Sequence, residues 1–205
     1  MIYVIKPSGR RVKDWLYFYS QAILYTIGST LASALTGLII AFLGSFTNVG
    51  HLFYINKVPI GVYIFTFVAF LYGIHELGIV KIPMPQRKWQ VPVSWILDNK
   101  LTGSFLYGLI IGFGFLTYIT YSGFYVLITL IFIEGDIFLG LFLGGIYGVG
   151  RSLTLLFGSF FVHKTNKSIS NFTNLVFGKT KIWHKFSGSI LIISAGIYIF
   201  LTFSI

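Results

Sequence analysis

Five stretches of the chain are almost uninterruptedly apolar, and the polar residues gather in the short segments between them. The runs are Leu16–Phe46, Val58–Val80, Gly103–Ile133, Ile137–Phe161 and Gly188–Ile205. A bilayer core of roughly 30 Å asks for about 20 apolar residues in a spanning helix. The pattern therefore predicts an all-α polytopic membrane protein with about five transmembrane helices. A basic start, with Lys6, Arg10, Arg11 and Lys13, precedes the first run as it would in a secretory signal. The apolar stretch after Trp15 nevertheless continues for about 30 residues without an A-x-A-like cleavage site, so it reads as a retained span.

The third run departs from the others at its centre, where "GFGFLTYITYSG" occupies Gly112–Gly123. As one helix, the run of about 31 residues would be roughly 46 Å long, more than a perpendicular crossing needs. It has to tilt or break. Glycines let helices approach, and Thr or Ser hydroxyls can satisfy freed backbone groups, so the composition permits either. One reading is a broken helix that lines a cavity; the simpler one is a helix-packing seam. Gly108 and Gly112 stand four apart, as a small-xxx-small face requires. Gly114, Thr117, Tyr118 and Tyr121 complete the candidate set for packing or cavity.

Charge orients these spans. Lys and Arg are concentrated in the N-terminal segment, in the connection from Lys81 to Lys100, and from Lys164 to Lys185. The Ser45–Lys57 connection has only Lys57, the Glu134–Asp136 connection has acids alone, and no charged side chain follows Lys185. By the positive-inside rule the N-terminus is cytoplasmic and the C-terminus outside a plasma membrane. The chain then forms one transmembrane domain over 1–205, with a basic segment at 1–14 and inside loops at 81–100 and 163–186. "KIPMPQRKWQVPVSW" has three prolines and two interfacial tryptophans and reads as a surface linker. "HKTNKSISNFTNLVFGKTK" has a weak apolar face that suits the membrane surface, and its N-x-S/T matches at Asn166 and Asn171 fall on the side where no glycan is added.

Composition agrees with the pattern. The chain of 205 residues is 56% hydrophobic and 10% charged, with a mean hydropathy of +0.85. Its net charge of +10 sits between apolar spans, which points to membrane topology and away from nucleic acid. There is no cysteine, so disulfides and thiolate chemistry within this chain are excluded.

Weak internal similarity is visible. "YTIGSTL" at Tyr25–Leu31 matches "YGVGRSL" at Tyr147–Leu153, and "YGIHELG" in the second run matches "AGIYIFL" in the fifth. Units with an odd number of helices would be inverted with respect to one another. The implied arrangement is a degenerate inverted repeat of two plus three helices.

Arg151 stands within the fourth run, where a bare guanidinium is costly and needs a partner, water or a route to the headgroups. Glu76 on the second run is the partner of opposite charge, so Glu76 and Arg151 form a candidate intramembrane pair, with snorkelling of Arg151 as the other outcome. His75 beside Glu76 lacks further ligands at metal spacing. His51, His163 and His184 read as interfacial, and Gln21 and Asn48 as end residues of the first span. No Ser/His/Asp grouping, carboxylate pair or phosphate loop is present. The expectation is a non-enzyme with no cofactor and no metal.

"GSFLYGLIIGFGF" at Gly103–Phe115, "YGVGRSLTLLFG" at Tyr147–Gly158 and "FSGSILIISAGIYIF" at Phe186–Phe200 resemble segments of the CcdA/DsbD family, and "PMPQRKW" falls where that family has a basic, proline-rich connection. The resemblance implies that family's membrane fold and a link to thiol-electron transfer or cytochrome c biogenesis. Its chemistry is not implied. Thr117 and Tyr121 stand where the family has prolines, Tyr118 where it has a reactive cysteine, and the first helix with the partner cysteine is lacking. The expectation is an accessory or assembly subunit of a membrane redox or cytochrome complex. Its partners would be the lipid bilayer and other membrane subunits in a hetero-complex. The alternative is a small-solute or ion transporter that uses the cavity of the repeat.

Overall fold

The computed structural model describes residues 12–50, 54–55, 58–82, 84, 100–115, 119, 121–165 and 180–204. Among these residues it is all-α apart from one short hairpin. Helix α1, Val12–Thr47, follows the first apolar run and closes at Asn48. That residue takes the left-handed conformation with φ 45 and its amide donates to the Gly44 carbonyl at 2.8 Å, an asparagine C-terminal stop. Strands β1 (Tyr54–Ile55) and β2 (Val58–Pro59) pair antiparallel. Pro59 then leads directly into α2, Ile60–Glu76, its fixed φ of −60 already suited to a helix start.

The third run is interrupted. It forms α3, Lys100–Gly112, and α4, Gly123–Glu134, with the small, hydroxylated stretch between them. Gly135 at φ 62 ends α4, and the Asp136 carboxylate accepts the amides of Phe138 (2.8 Å) and Leu139 (3.1 Å) to start α5, Ile137–Thr165. Helix α6, Thr180–Ser204, closes the chain. The expected inside loop at 163–186 is therefore narrower, since α5 and α6 take up its ends. The loop at 81–100 and the basic start lie mostly outside the described residues.

Two helical stretches, Tyr19–Thr47 and Thr180–Thr202, are long and apolar enough to cross a membrane. The stretches Ile60–Glu76, Leu101–Gly112, Gly123–Glu134 and Ile137–Leu153 are apolar but shorter.

The chain divides into two compact units that interleave in sequence. One takes Met1–Leu35, Arg87–Tyr118 and Gly144–Lys179; the other takes Thr36–Gln86, Ile119–Leu143 and Thr180–Ile205. The domain expected over 1–205 thus has internal structure that linear boundaries do not reveal. In the second unit α2, α4 and α6 share a core of Phe65, Ala69, Val126, Ile133, Leu191 and Ala195. Tyr72 stacks on Tyr125 with ring centroids 5.4 Å apart, and Tyr198 donates to Glu134 at 2.8 Å. In the first unit the interior is small and polar, with Ser29, Ser104 and Ser152 fully buried.

Candidate functional site

Glu76 is the last residue of α2, and its side chain is fully buried. One carboxylate oxygen, Oε1, accepts both the Ser122 backbone amide (2.6 Å) and the Ser122 hydroxyl (2.7 Å). The other, Oε2, meets His184 Nδ1 near the start of α6. Ser122 stands immediately before α4, so the carboxylate lies at the positive end of that helix, where an anion is favoured. Three helices are therefore tied at one acid. Tyr121, 39% exposed, lays its ring beside the imidazole, centroids 4.9 Å apart.

The first unit has a seam of small residues. A Cβ at Gly108 would lie 2.2 Å from the Tyr25 carbonyl oxygen, and one at Gly112 would lie 2.5 Å from that of Ser29, so α3 lies backbone to backbone against α1. On the other side of the same α1 stripe, Gly144 and Gly148 of α5 meet Ser33 and Ser29 equally closely. The serines bind the seam: Ser33 Oγ donates to the Gly112 carbonyl at 2.8 Å and Ser29 Oγ to that of Gly148 at 3.3 Å. Close van der Waals contact and these hydrogen bonds carry the packing along the seam.

Beside the seam, Arg151 donates to the Tyr147 hydroxyl at 3.3 Å and lies within electrostatic reach of Tyr25 and Tyr107. The two members of the expected Glu76–Arg151 pair belong to different units. Glu76 is taken by Ser122 and His184 of its own unit, while Arg151 sits among tyrosines of the other. Phenolic oxygens and a long apolar stem suit a guanidinium in such surroundings.

Of the other sequence candidates, Gly114 takes φ 62 in the turn that ends α3. Thr117 and Tyr118 lie outside the described residues. Gln21 is not an end residue but is buried within α1 at 5% exposure. His184, read as interfacial, belongs to the Glu76 cluster. Ser122, Ser29 and Ser33 were not singled out by the sequence. A small-xxx-small spacing at Ser29 and Ser33, matched at Gly144 and Gly148, was the signal available.

The cluster is not a nucleophilic triad. Such a triad needs the hydroxyl on the imidazole, whereas here the carboxylate stands between Ser122 and His184. Among the described residues no group of three or more His, Asp or Glu could hold a metal.

The chain is similar to several methylamine utilization proteins named MauF. It is 28% identical to that of Paracoccus versutus over 165 residues, which is 74% of this chain and 54% of the relative. It is 29% identical to that of Methylophilus methylotrophus over 157 residues, 73% of this chain and 52% of the relative. It is 26% identical to that of Paracoccus denitrificans over 163 residues, 74% and 53%. The chain spans about half the length of the curated relatives it matches. No family model and no solved structure matches it.

These relatives overturn the CcdA/DsbD resemblance, and the two functions drawn with it, an accessory redox or cytochrome subunit and a solute transporter, fall too. The physical reason lies in the segments that suggested it. Glycine and aromatic residues at helical spacing are what close packing asks of many membrane helices, whatever their family.

Proposed function

We propose that this chain is a multi-pass membrane protein that takes part in methylamine utilization, as a non-catalytic helical component similar to half of a MauF protein. The observation that carries this reading is the alignment of about three quarters of the chain with MauF proteins of separate organisms. The membrane part is supported by where side chains lie. Ile23, Ile27, Leu31 and Leu35 of α1, Phe138 and Phe142 of α5, and Ile190, Ile193 and Ile197 of α6 are all about half exposed or more, while the fully buried side chains are mostly small, alanines and serines alike. In water such faces would drive association; in lipid they are at home.

The topology we assign keeps the N-terminus inside and the C-terminus outside. Its surroundings are the bilayer and further membrane proteins of the same process.

Deletion of the gene in the organism that carries it tests the role. Growth on methylamine should fail while growth on ammonium is unchanged, and the intact gene should restore it. Unimpaired growth on methylamine in the deletion strain would overturn the proposal.

A further inference from the structure

We propose that Arg151 and the hydroxyls of Tyr25, Tyr107 and Tyr147 form a binding site for one phosphate group. The four side chains come from three helices of the first unit, Tyr25 from α1, Tyr107 from α3, and both Tyr147 and Arg151 from α5. The glycine seam sets them at one level. A Cβ at Gly108, next to Tyr107, would lie 2.2 Å from the Tyr25 carbonyl oxygen, and the Ser29 hydroxyl, one turn along α1, reaches the Gly148 carbonyl beside Tyr147. The Tyr25 and Tyr107 rings have centroids 6.1 Å apart, and Arg151 donates to the Tyr147 hydroxyl at 3.3 Å. The two segments that match in sequence, Tyr25–Leu31 and Tyr147–Leu153, are the ones that meet at this cluster.

The donor set suits phosphate better than carboxylate. A guanidinium offers a planar fork that matches two phosphate oxygens, and a phenol that accepts from it keeps its own proton to donate. A fork and three hydroxyls from different helices suit a tetrahedral group with several acceptor oxygens, whereas a carboxylate has two in one plane. The phenols add hydrogen bonds but no charge, and an anion supplies the counter-charge that a guanidinium favours away from water. Access is graded. Tyr25, at 4% exposure, is the floor, while Tyr107, Tyr147 and Arg151 are partly exposed, and a Cβ at Gly150 beside Arg151 would meet open space.

The distribution of charge along the chain favours the same ligand. The first unit holds most of the 15 Lys and Arg, while Glu76, Glu134 and Asp136, three of the 5 acids, belong to the other unit. On the assigned topology the cluster lies near the cytoplasmic ends of its helices. Tyr25 is six residues past the start of the apolar stretch Tyr19–Thr47 and Tyr107 six past that of Leu101–Gly112, about 9 Å in each case at 1.5 Å per residue. An arginine stem spans much of that distance towards the headgroups, and basic pockets between helices on this side of a membrane hold anionic headgroups. A free phosphate ion offers the same chemistry from the cytoplasm.

Binding is to be measured on the purified full chain in detergent, by native mass spectrometry with phosphatidylglycerol and by the shift in thermal midpoint with inorganic phosphate. One phosphate group per chain should bind, and Arg151→Met should weaken it by about tenfold or more, the loss of charge-assisted hydrogen bonds. Tyr107→Phe and Tyr147→Phe should each weaken it by about fivefold. Lys181→Gln, which removes an exposed lysine of the other unit, should leave it unchanged. Phosphatidylglycerol that inorganic phosphate does not displace assigns the site to a lipid, displacement opens it to both sources, and binding of inorganic phosphate alone assigns it to the free ion. No binding of either probe overturns the site. So does binding that Arg151→Met leaves intact, or that Lys181→Gln weakens equally, which marks diffuse attraction to a basic surface. If Arg151→Met does not fold, the two Phe variants decide, and unchanged binding in both overturns the site. Growth on methylamine is a separate readout, so the site and the proposed role fail independently.

Discussion

Gly108→Ala should destabilise this protein even though alanine is the better helix former. In an unobstructed helix interior the exchange gains about 1 kcal/mol. At Gly108 the new methyl carbon would stand 2.2 Å from the Tyr25 carbonyl oxygen, 3.0 Å from its carbon and 3.1 Å from the Ser29 nitrogen. Helix α3 would have to lift from α1 by roughly 1 Å to regain ordinary contact, and such overpacking costs about 1–3 kcal/mol. The Ser33 hydroxyl bond to the Gly112 carbonyl, 2.8 Å long and one turn further along the same face, would stretch out of reach. Its loss is worth about 1 kcal/mol, which cancels the gain in propensity and leaves a net cost of about 1–3 kcal/mol. Gly196 in α6 is the control, because nothing lies within 4 Å of a Cβ there. Gly196→Ala should gain up to about 1 kcal/mol. Thermal unfolding in detergent micelles, followed by tryptophan fluorescence, compares the two. At about 2–4 °C per kcal/mol for a chain of this size, Gly108→Ala should lower the midpoint by several degrees and Gly196→Ala raise it. A neutral or stabilised Gly108→Ala would refute the close approach of α3 to α1.

Glu76→Gln keeps an oxygen for Ser122 but loses the charge facing His184, and should cost about 1–2 kcal/mol, a value discounted because the imidazole is partly exposed. Glu76→Leu strands the Ser122 amide as well, leaving the hydroxyl only the Tyr72 carbonyl at 3.4 Å, and should cost about 1–3 kcal/mol more; equal midpoints for the two variants would count against the cluster. Since Glu76 and Arg151 have different partners, Glu76→Gln combined with Arg151→Met should be additive to within about 0.5 kcal/mol in the same melts, and rescue of one by the other would revive a direct pair. In intact cells a cysteine at Asp136 should react with an impermeant maleimide from outside and one at Asn171 should not, and the reverse would invert the topology; the chain has no thiol background.

Helices were legible wherever an apolar run was uniform. The run Leu16–Phe46 became Val12–Thr47, and Val58–Val80 became Ile60–Glu76 with the hairpin strand before it. The excess length of the third run and its small polar centre marked where it is interrupted, because a stretch of glycines and hydroxyls has little to hold a helix straight. Partners were not legible. Glu76 stood out as an acid in an apolar run, and Arg151 was the obvious opposite charge. The residues that in fact meet it are 46 and 108 positions away. Sequence spacing does not say which helices are neighbours, and His184 between Lys181 and Lys185 looked like one more basic residue at a membrane surface. The division into two units was hidden for a related reason: α1 and α5 each serve both, so no linker or change of composition marks a boundary.

The interruption and the buried acid explain one another. A negative charge on the last residue of α2 sits at the negative end of that helix, where it is unfavourable. Nothing in α2 accounts for it. A helix that restarts away from water exposes its first amides, and each needs an acceptor. Ser122 precedes α4 with φ −70 and ψ −12, and its side chain makes no capping bond to the helix it begins. Its hydroxyl and its amide both turn to Glu76 instead. The carboxylate that is misplaced for α2 thus does for Ser122 at the mouth of α4 what a local cap would do, and His184 meets its other oxygen. Were the chain helical straight through residues 113–122, the Ser122 amide would have its own carbonyl one turn back, and Glu76 would be a buried anion with no donor from α4.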